Sequence, residues 1–253
     1  LNKEFDGKLS GAIAIFKNEC PRKFMHQLVS GQLDMDRLDY LRRDSFYTGV
    51  AEGNVSSQRL IAMLDVHKDE LVVEEKGIYS VEKFIVARRF MYWQVYLHRA
   101  VRAAELMLRL ILKRAREVFT DDKTVLWLPP NLRFLFAKND EKDAAEPSQE
   151  FLENFLGLDD FDLFHALKMW RRSKDQVLRD LATRFLSRRL FKGAELSSQP
   201  NLPGQLKRSA KEKYGDMWHY YVNVDPLSSV SYGVYRPGTD RPIRTVVRPS
   251  GGW

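Results

Sequence analysis

Residues 30–50 read SGQLDMDRLDYLRRDSFYTGV. Between Asp34 and Asp44 stand four aspartates and three arginines, interleaved with leucines and a tyrosine. Gly31 and Gln32 set a helix start near Asp34. Asp34 and Asp36 then fall in the first turn, where carboxylates favour the positive end of the helix dipole. Arg43 can pair with Asp39 at spacing four, and Arg42 at spacing three; such pairs are worth about 0.2–0.5 kcal/mol each. They account for a solvated charged helix. They do not account for Asp36, Tyr40 and Asp44, which recur at spacing four along one stripe. Leu33, Arg37 and Leu41 flank that stripe, so Asp36 is expected beside apolar neighbours. A carboxylate in that setting needs a cation, a metal or several donors, because desolvating it unpaired is costly. A structural ion pair meets that need as well as a metal does.

Outward from this helix, the N-terminal sixty residues read as further helices. GKLSGAIAIF carries an apolar face and its pattern stops at Cys20-Pro21, where the proline ring disfavours helix in the preceding residue. KFMHQLVSG follows and breaks at Gly31. RLIAML reads as helix, and MLDVHKDELVVEE as a β-hairpin around a polar HKD turn. From Val81 to about Val118 the pattern is helical, as one long helix or two. Residues 119–150, with Pro129-Pro130 and the charged tract KNDEKDAAEPSQE, read as a loop or lid. Helical patterns resume in DDFDLFHALKMW and KDQVLRDLATRFLSRRL. From about Met217 the short aromatic and β-branched runs HYYVNV, VSYGVY and PIRTVV suggest a small sheet. The expected fold class is mainly α with a small α+β C-terminal appendage. Its divisions are a helical region with a short hairpin over 1–118, a loop or lid over 119–150, and a helical plus small β region over 151–253.

A chain of 253 residues can bury a sizeable core. Its most apolar segment, Leu106 to Leu112, is interrupted by Arg109, so no membrane span is expected. LNKEFDGKLS lacks the basic and apolar regions of a secretory signal. Cys20 is the single cysteine, which excludes an internal disulfide and fits a reducing, cytoplasmic setting. The net charge of +7 serves either solubility or a polyanionic ligand such as a nucleotide or nucleic acid. Its basic clusters do not alternate with aromatics as a nucleic-acid stacking platform would. Neither a P-loop, nor a G-x-S-x-G motif, nor zinc-type Cys/His spacing is present.

A second helix adds to the first. In FIVARRFMYWQVYLHRAV, Arg88, Tyr92 and Tyr96 are four apart and share a face. An arginine followed by two aromatics along one wall can bind phosphate at one end and stack on sugar or base at the other. A core helix with snorkelling arginines has the same spacing.

The run LDMDRLDYLRRDSFYTGV resembles the last metal-ligand motif of the HD-domain phosphohydrolases, in the branch of the deoxynucleoside triphosphate triphosphohydrolases. That branch carries D-x-D-[RK]-x-D-Y-x-x-R-D, and every defined position is filled here. The resemblance implies an HD-like helical bundle in which metal-activated water attacks a nucleotide or other phosphate ester. It makes Asp36 a ligand of a divalent metal (Mn, Mg, Fe, Ni or Zn), and gives Arg37 to substrate phosphate. Tyr40 and Asp44 would face the nucleotide, with Asp44 accepting from a sugar hydroxyl. Asp34 and Asp39 fall elsewhere and read as helix-capping and ion-pair residues. Arg88 and Tyr96 match the family's comparable helix; Tyr92 stands where a histidine is expected. The family also needs a histidine and an adjacent His-Asp pair upstream. The five histidines here are His26, His67, His98, His165 and His219, and none is followed directly by an aspartate. His26 alone precedes Asp36 and reads as structural. The chain, which starts at Leu1, is therefore expected to be the C-terminal part of a longer enzyme, with no catalytic residue of its own beyond the metal ligand. Homo-oligomers are common in the family. Two alternatives stand beside this reading: a nucleotide-binding or regulatory relative without catalysis, and a nucleic-acid-binding protein.

Overall fold

The computed structural model describes residues 2–122, 125–138, 147–192, 201–223 and 247–248. The chain divides into two compact units, the first running to His98 and the second beginning at Arg99. The architecture is mainly helical with a small sheet. No helix among the described residues is long and apolar enough to cross a membrane.

The first unit opens with α1 (Ser10–Phe16) and α2 (Lys23–Ser30), separated at Pro21. His26 on α2 has its Nδ1 2.8 Å from the Ile15 carbonyl of α1, so the ring ties the two helices together. α3 (Met35–Thr48) is capped by Asp34, whose carboxylate accepts from the Arg37 N–H at 2.7 Å. It closes at Gly49, which takes a left-handed φ of 72° without a Cβ clash. α4 (Ser57–Ala62) leads into the hairpin of β1 (Leu64–His67) and β2 (Glu70–Glu74), antiparallel with Leu64 opposite Val73. The two turn residues, Lys68 and Asp69, both have positive φ, which matches the right-handed twist of the strands they join. Asp69 also accepts from the Lys23 N–H and from Arg22 Nε, each at 2.8 Å, and these bonds hold its carboxyl below the usual range. α5 (Ile78–Met91) passes into a π turn, Tyr92–Tyr96. A short β3 (Val247–Arg248) pairs in parallel with β2.

Leu38 and Leu41 of α3 pack with Leu60, Val73, Phe84, Ala87 and Met91 to form the core of this unit. Gly53 lies so close to α5 that a Cβ there would come within 2.4 Å of Met91 Sδ and 2.9 Å of Ser45 Cβ. Its lack of a side chain lets the Ala51–Gly53 turn sit between α3 and α5.

The second unit holds α6 (Arg99–Asp121), α7 (Pro130–Ala137), α8 (Gln149–Leu156), α9 (Asp160–Trp170), α10 (Gln176–Leu186) and α11 (Leu202–Tyr214), followed by a 3-10 turn at Gly215–Tyr220. Its core includes Ile111, Ala115, Leu167, Trp170, Leu178, Leu181 and Tyr220. Arg114 reaches both Asp175 oxygens, at 2.7 and 3.2 Å, and Glu117 at 3.0 Å. Asp175 caps α10 through the Leu178 N–H, and Tyr220 donates to Glu117. Burial pushes both carboxyls up. The donated hydrogen bonds and the Arg114 charge outweigh it and hold them below the usual range.

Several sequence expectations change. Of the two readings open for Val81 to Val118, one long helix or two, the structure has two helices, joined through the π turn. The stretch expected as loop over 119–150 contains α7 and the start of α8. Pro130 at the first position of α7 and Ser148 accepting from the Phe151 N–H are the local signals. Residues 139–146 of the charged tract lie outside the described residues. α11 has no counterpart among the expected helices. Residues 219–223 of HYYVNV close the 3-10 turn and run on from it without forming a strand. VSYGVY lies outside the described residues, and of PIRTVV only Val247 is described, in β3.

Leu41 has no exposed surface, whereas Tyr47 on the same helix is 79% exposed. Leu41→Ala is expected to cost about 2–5 kcal/mol in urea unfolding, and Tyr47→Ala less than about 0.5. Folded Asp175 and Glu117 bind protons less readily than in the unfolded chain. Their contribution is present above the ordinary carboxyl pKa of about 4 and is lost as pH falls through the lower folded values. The urea midpoint should therefore drop on acidification, and less steeply in Asp175→Asn.

Candidate functional site

α3 and α5 run against one another through their apolar faces, and that packing brings two polar stripes together. Tyr40 and Asp44 are one turn apart on α3, as Arg88 and Tyr92 are at the end of α5. In the π turn, the Leu97 N–H donates to the Tyr92 carbonyl at 2.8 Å, five residues back. Tyr96 is carried on this wider turn and its hydroxyl donates to Asp44 Oδ2 at 2.7 Å. The Tyr40 and Tyr96 rings meet edge to face with centroids 6.0 Å apart, and Tyr92 and Tyr96 at 5.1 Å. The Arg88 guanidinium lies 5.6 Å from the centre of the Tyr92 ring. One wall thus holds a carboxylate, three tyrosines and an arginine in that order.

Burial pushes the Tyr96 hydroxyl far above the ordinary tyrosine range, and its bond to the charged Asp44 pushes it further. Tyr40 is also raised, first by burial and then by Tyr92, while Arg88 and Arg37 pull it back. Both rings are phenols at neutral pH. Tyr96 is therefore a fixed donor and Asp44 its acceptor. The Arg88 Nε is buried without a hydrogen-bond partner. Such a donor costs about 1–3 kcal/mol when left unsatisfied, and an anion would satisfy it.

The remaining candidates sit differently. Arg37 Nη1 donates to Asp34 and to the Gly31 carbonyl, which tethers the guanidinium to the start of α3. Asp34 is 3% exposed, and its pairing with Arg37 is the capping and ion-pair role its position suggests, with the basic residue three positions on. Asp39 pairs with Arg43 at 2.7 Å on the solvent side. Asp36 departs from expectation: it is exposed instead of lying beside apolar neighbours. The cap at Asp34 fixes the helix phase so that Leu38, Leu41 and Ser45 turn inward, and Asp36 turns out. Among the described residues no three His, Cys, Asp or Glu side chains converge as a metal site. One exposed carboxylate fits a single ligand position; it does not make a metal centre.

The second unit has an open cavity of about 720 Å³ lined by Lys113, Arg116, Glu117, Asp121 and Phe136 among others. Its basic and acidic groups balance, and it lacks the aromatic wall of the first unit. The first-unit wall is the stronger candidate because its groups differ along its length.

Tyr96→Phe removes one hydrogen bond to a charged acceptor, at an expected cost of about 1–2 kcal/mol at pH 7. Tyr96 stays protonated in the folded state after the unfolded side chain ionises near pH 10, so its contribution is full below that pH and fades above it. Urea unfolding of both proteins across this range should show the gap closing as pH rises.

Residues 55–127, which include Arg88, Tyr92 and Tyr96, match the HD associated region family. Protein YwfO of Bacillus subtilis is 32% identical over 214 residues, covering 84% of this chain and 47% of that protein. A deoxynucleoside triphosphate triphosphohydrolase SAMHD1 homolog of Dictyostelium discoideum is 30% identical over 90 residues, covering 34% of this chain and 17% of its own length. The crystal structure of a phosphohydrolase from Bacteroides thetaiotaomicron is 48% identical, with a TM-score of 0.77 over 87% of this chain and 55% of that one. The chain spans about half the length of YwfO and of this phosphohydrolase. The chain is thus similar, over residues 55–127, to an HD associated region and, over most of its length, to about half of a phosphohydrolase.

Proposed function

We propose that the protein is a phosphohydrolase acting on a nucleotide, with deoxynucleoside triphosphates as the leading substrate class. The observation that carries this reading is the wall on which the Tyr96–Asp44 hydrogen bond and the unsatisfied Arg88 Nε stand at opposite ends of three tyrosine rings. A nucleotide has the same order of groups: a sugar hydroxyl to donate, a flat apolar body, and phosphate oxygens to accept. Asp44 would take the sugar hydroxyl in place of, or together with, Tyr96. Tyr40 and Tyr92 would bound the nucleoside, and Arg88 would hold phosphate with charge-assisted hydrogen bonds. Arg37 already donates from Nη1 to Asp34 and the Gly31 carbonyl, so its proposed phosphate contact would use its other N–H groups and is the weaker of the two.

HD-type phosphohydrolases typically use a divalent metal. Asp36, exposed on the first turn of α3, is proposed as one ligand, whichever of Mn, Mg, Fe, Ni or Zn is used. The described residues do not supply the rest of that set. The contribution assigned to this chain is therefore to bind and orient the nucleotide. Water adds across a phosphorus–oxygen bond of the substrate.

The test is incubation of the natural full-length protein with Mn²⁺ or Mg²⁺ and a panel of nucleotides and deoxynucleotides, with products resolved by chromatography. Nucleoside plus tripolyphosphate is the expected pair of products. Asp36→Ala should abolish turnover, and Asp44→Ala should lower kcat/KM by about 10–100-fold, the value of a hydrogen bond to a charged group. Nucleotide binding without any turnover would sink the hydrolase reading and leave a binding module. Turnover unchanged in Asp44→Ala would remove the wall from the substrate site.

A further inference from the structure

Arg88 carries the buried, unpartnered Nε of the wall, and among the described residues no carboxylate pairs with its guanidinium. The group that lies against it is the Tyr92 ring, with 5.6 Å from the guanidinium carbon to the ring centre. The Tyr92 N–H donates to the Arg88 carbonyl, so an α-helical turn is kept between the two and their side chains leave α5 on one side. Tyr92 is itself held twice. Its ring meets Tyr96 edge to face at 5.1 Å. Its hydroxyl is hydrogen-bonded to Tyr40, a contact that adds to the burial by which Tyr40 is raised.

We infer that Tyr92 is a positioning residue for phosphate: its ring braces the Arg88 guanidinium and leaves the N–H edge, Nε included, for phosphate oxygens. The inference rests on the substrate reading of the wall and adds to it how the phosphate end is set. A cation over a ring is held through its face, whereas guanidinium hydrogen bonds run in its plane. The brace therefore uses none of the donors and leaves the positive charge in place. A carboxylate would fix the guanidinium equally well, but would occupy donors and cancel the charge. Arg114 of the second unit is held in that second way, by Asp175 and Glu117, and its donors are spent on the fold. Tyrosine at position 92 also differs in kind from the histidine that the resemblance leads one to expect. A histidine there would be shorter, and would gain a positive charge against Arg88 below about pH 6.5.

Isothermal titration calorimetry of inorganic tripolyphosphate into the natural full-length protein, at fixed free Mn²⁺, reads the phosphate end alone. No nucleoside enters, so a contact between Tyr92 and the nucleoside does not contribute. Arg88→Ala should raise the Kd by about tenfold or more through the loss of charge-assisted hydrogen bonds. Tyr92→Leu removes the ring from a partly buried position and should raise it by about three- to tenfold, the value of the lost brace. Tyr92→Phe keeps the ring and should stay within about twofold of the unmodified protein. In the Arg88→Ala protein, Tyr92→Leu should add nothing, because no guanidinium remains to be placed. Folding of each variant is checked by circular dichroism, and Tyr92→Met, also without a ring, replaces Tyr92→Leu if that variant does not fold. Binding unchanged in Arg88→Ala overturns the substrate reading of this end, and the proposal with it. Binding weakened by Arg88→Ala but not by Tyr92→Leu overturns the positioning role alone. So does a Tyr92→Leu effect that persists in the Arg88→Ala protein, or a Tyr92→Phe protein as weak as Tyr92→Leu.

Discussion

A buried carboxylate sets the phase of α3, and the rest of the first unit is arranged around that phase. Asp34 is almost wholly out of solvent, accepts from the Arg37 backbone and side chain, and through Arg37 is joined to the Gly31 carbonyl. Helix geometry then allows no freedom further along. Leu38 and Leu41 must enter the core, Tyr40 and Asp44 must face α5, and Asp36 must look outward. A buried ion pair is weak support for stability on its own, because desolvating both groups offsets most of their attraction. Its value here is directional: a helix begun one residue earlier would present a different stripe to α5.

The two units each contain a tyrosine hydroxyl bonded to a carboxylate, and the surroundings give these contacts different characters. Tyr220 donates to Glu117 inside a network where Arg114 neutralises Glu117 and Asp175 together, and all of its members are satisfied. That arrangement is closed and holds α6, α10 and the 3-10 turn in place. Tyr96 donates to Asp44 without an ion pair on that carboxylate among the described residues, and the nearby Arg88 leaves its Nε unsatisfied. Charge and hydrogen-bonding capacity are left over on this wall, as its proposed binding role requires.

Much of the first unit is legible in the sequence, because spacing alone determines which side chains meet. Helical periodicity places α1 to α3, α9 and α10, and the HKD turn between β-branched runs places the hairpin. Four-residue spacing puts Tyr40 with Asp44 and Arg88 with Tyr92, and the observed ring contacts need just that spacing. The π turn is not legible, because no residue type marks a main-chain bond five residues long. The exposure of Asp36 escapes a reading of neighbours, because the flanking leucines turn inward only once the cap has fixed the helix phase. α7, α8 and α11 are hidden where Pro, Ser and charged residues suggest loop; in each of the first two, the same Pro or Ser begins the helix.

The π turn also constrains how this segment can change over generations. Tyr96 reaches Asp44 because one more residue than an α-turn needs is accommodated between Met91 and Leu97. Losing or gaining a residue there would swing Tyr96 by about 100° and carry its hydroxyl away from the carboxylate. Gln94, exposed within the turn, can be replaced without that consequence. Divergence in this stretch should therefore run through exchange of side chains at constant length, while insertions and deletions accumulate elsewhere.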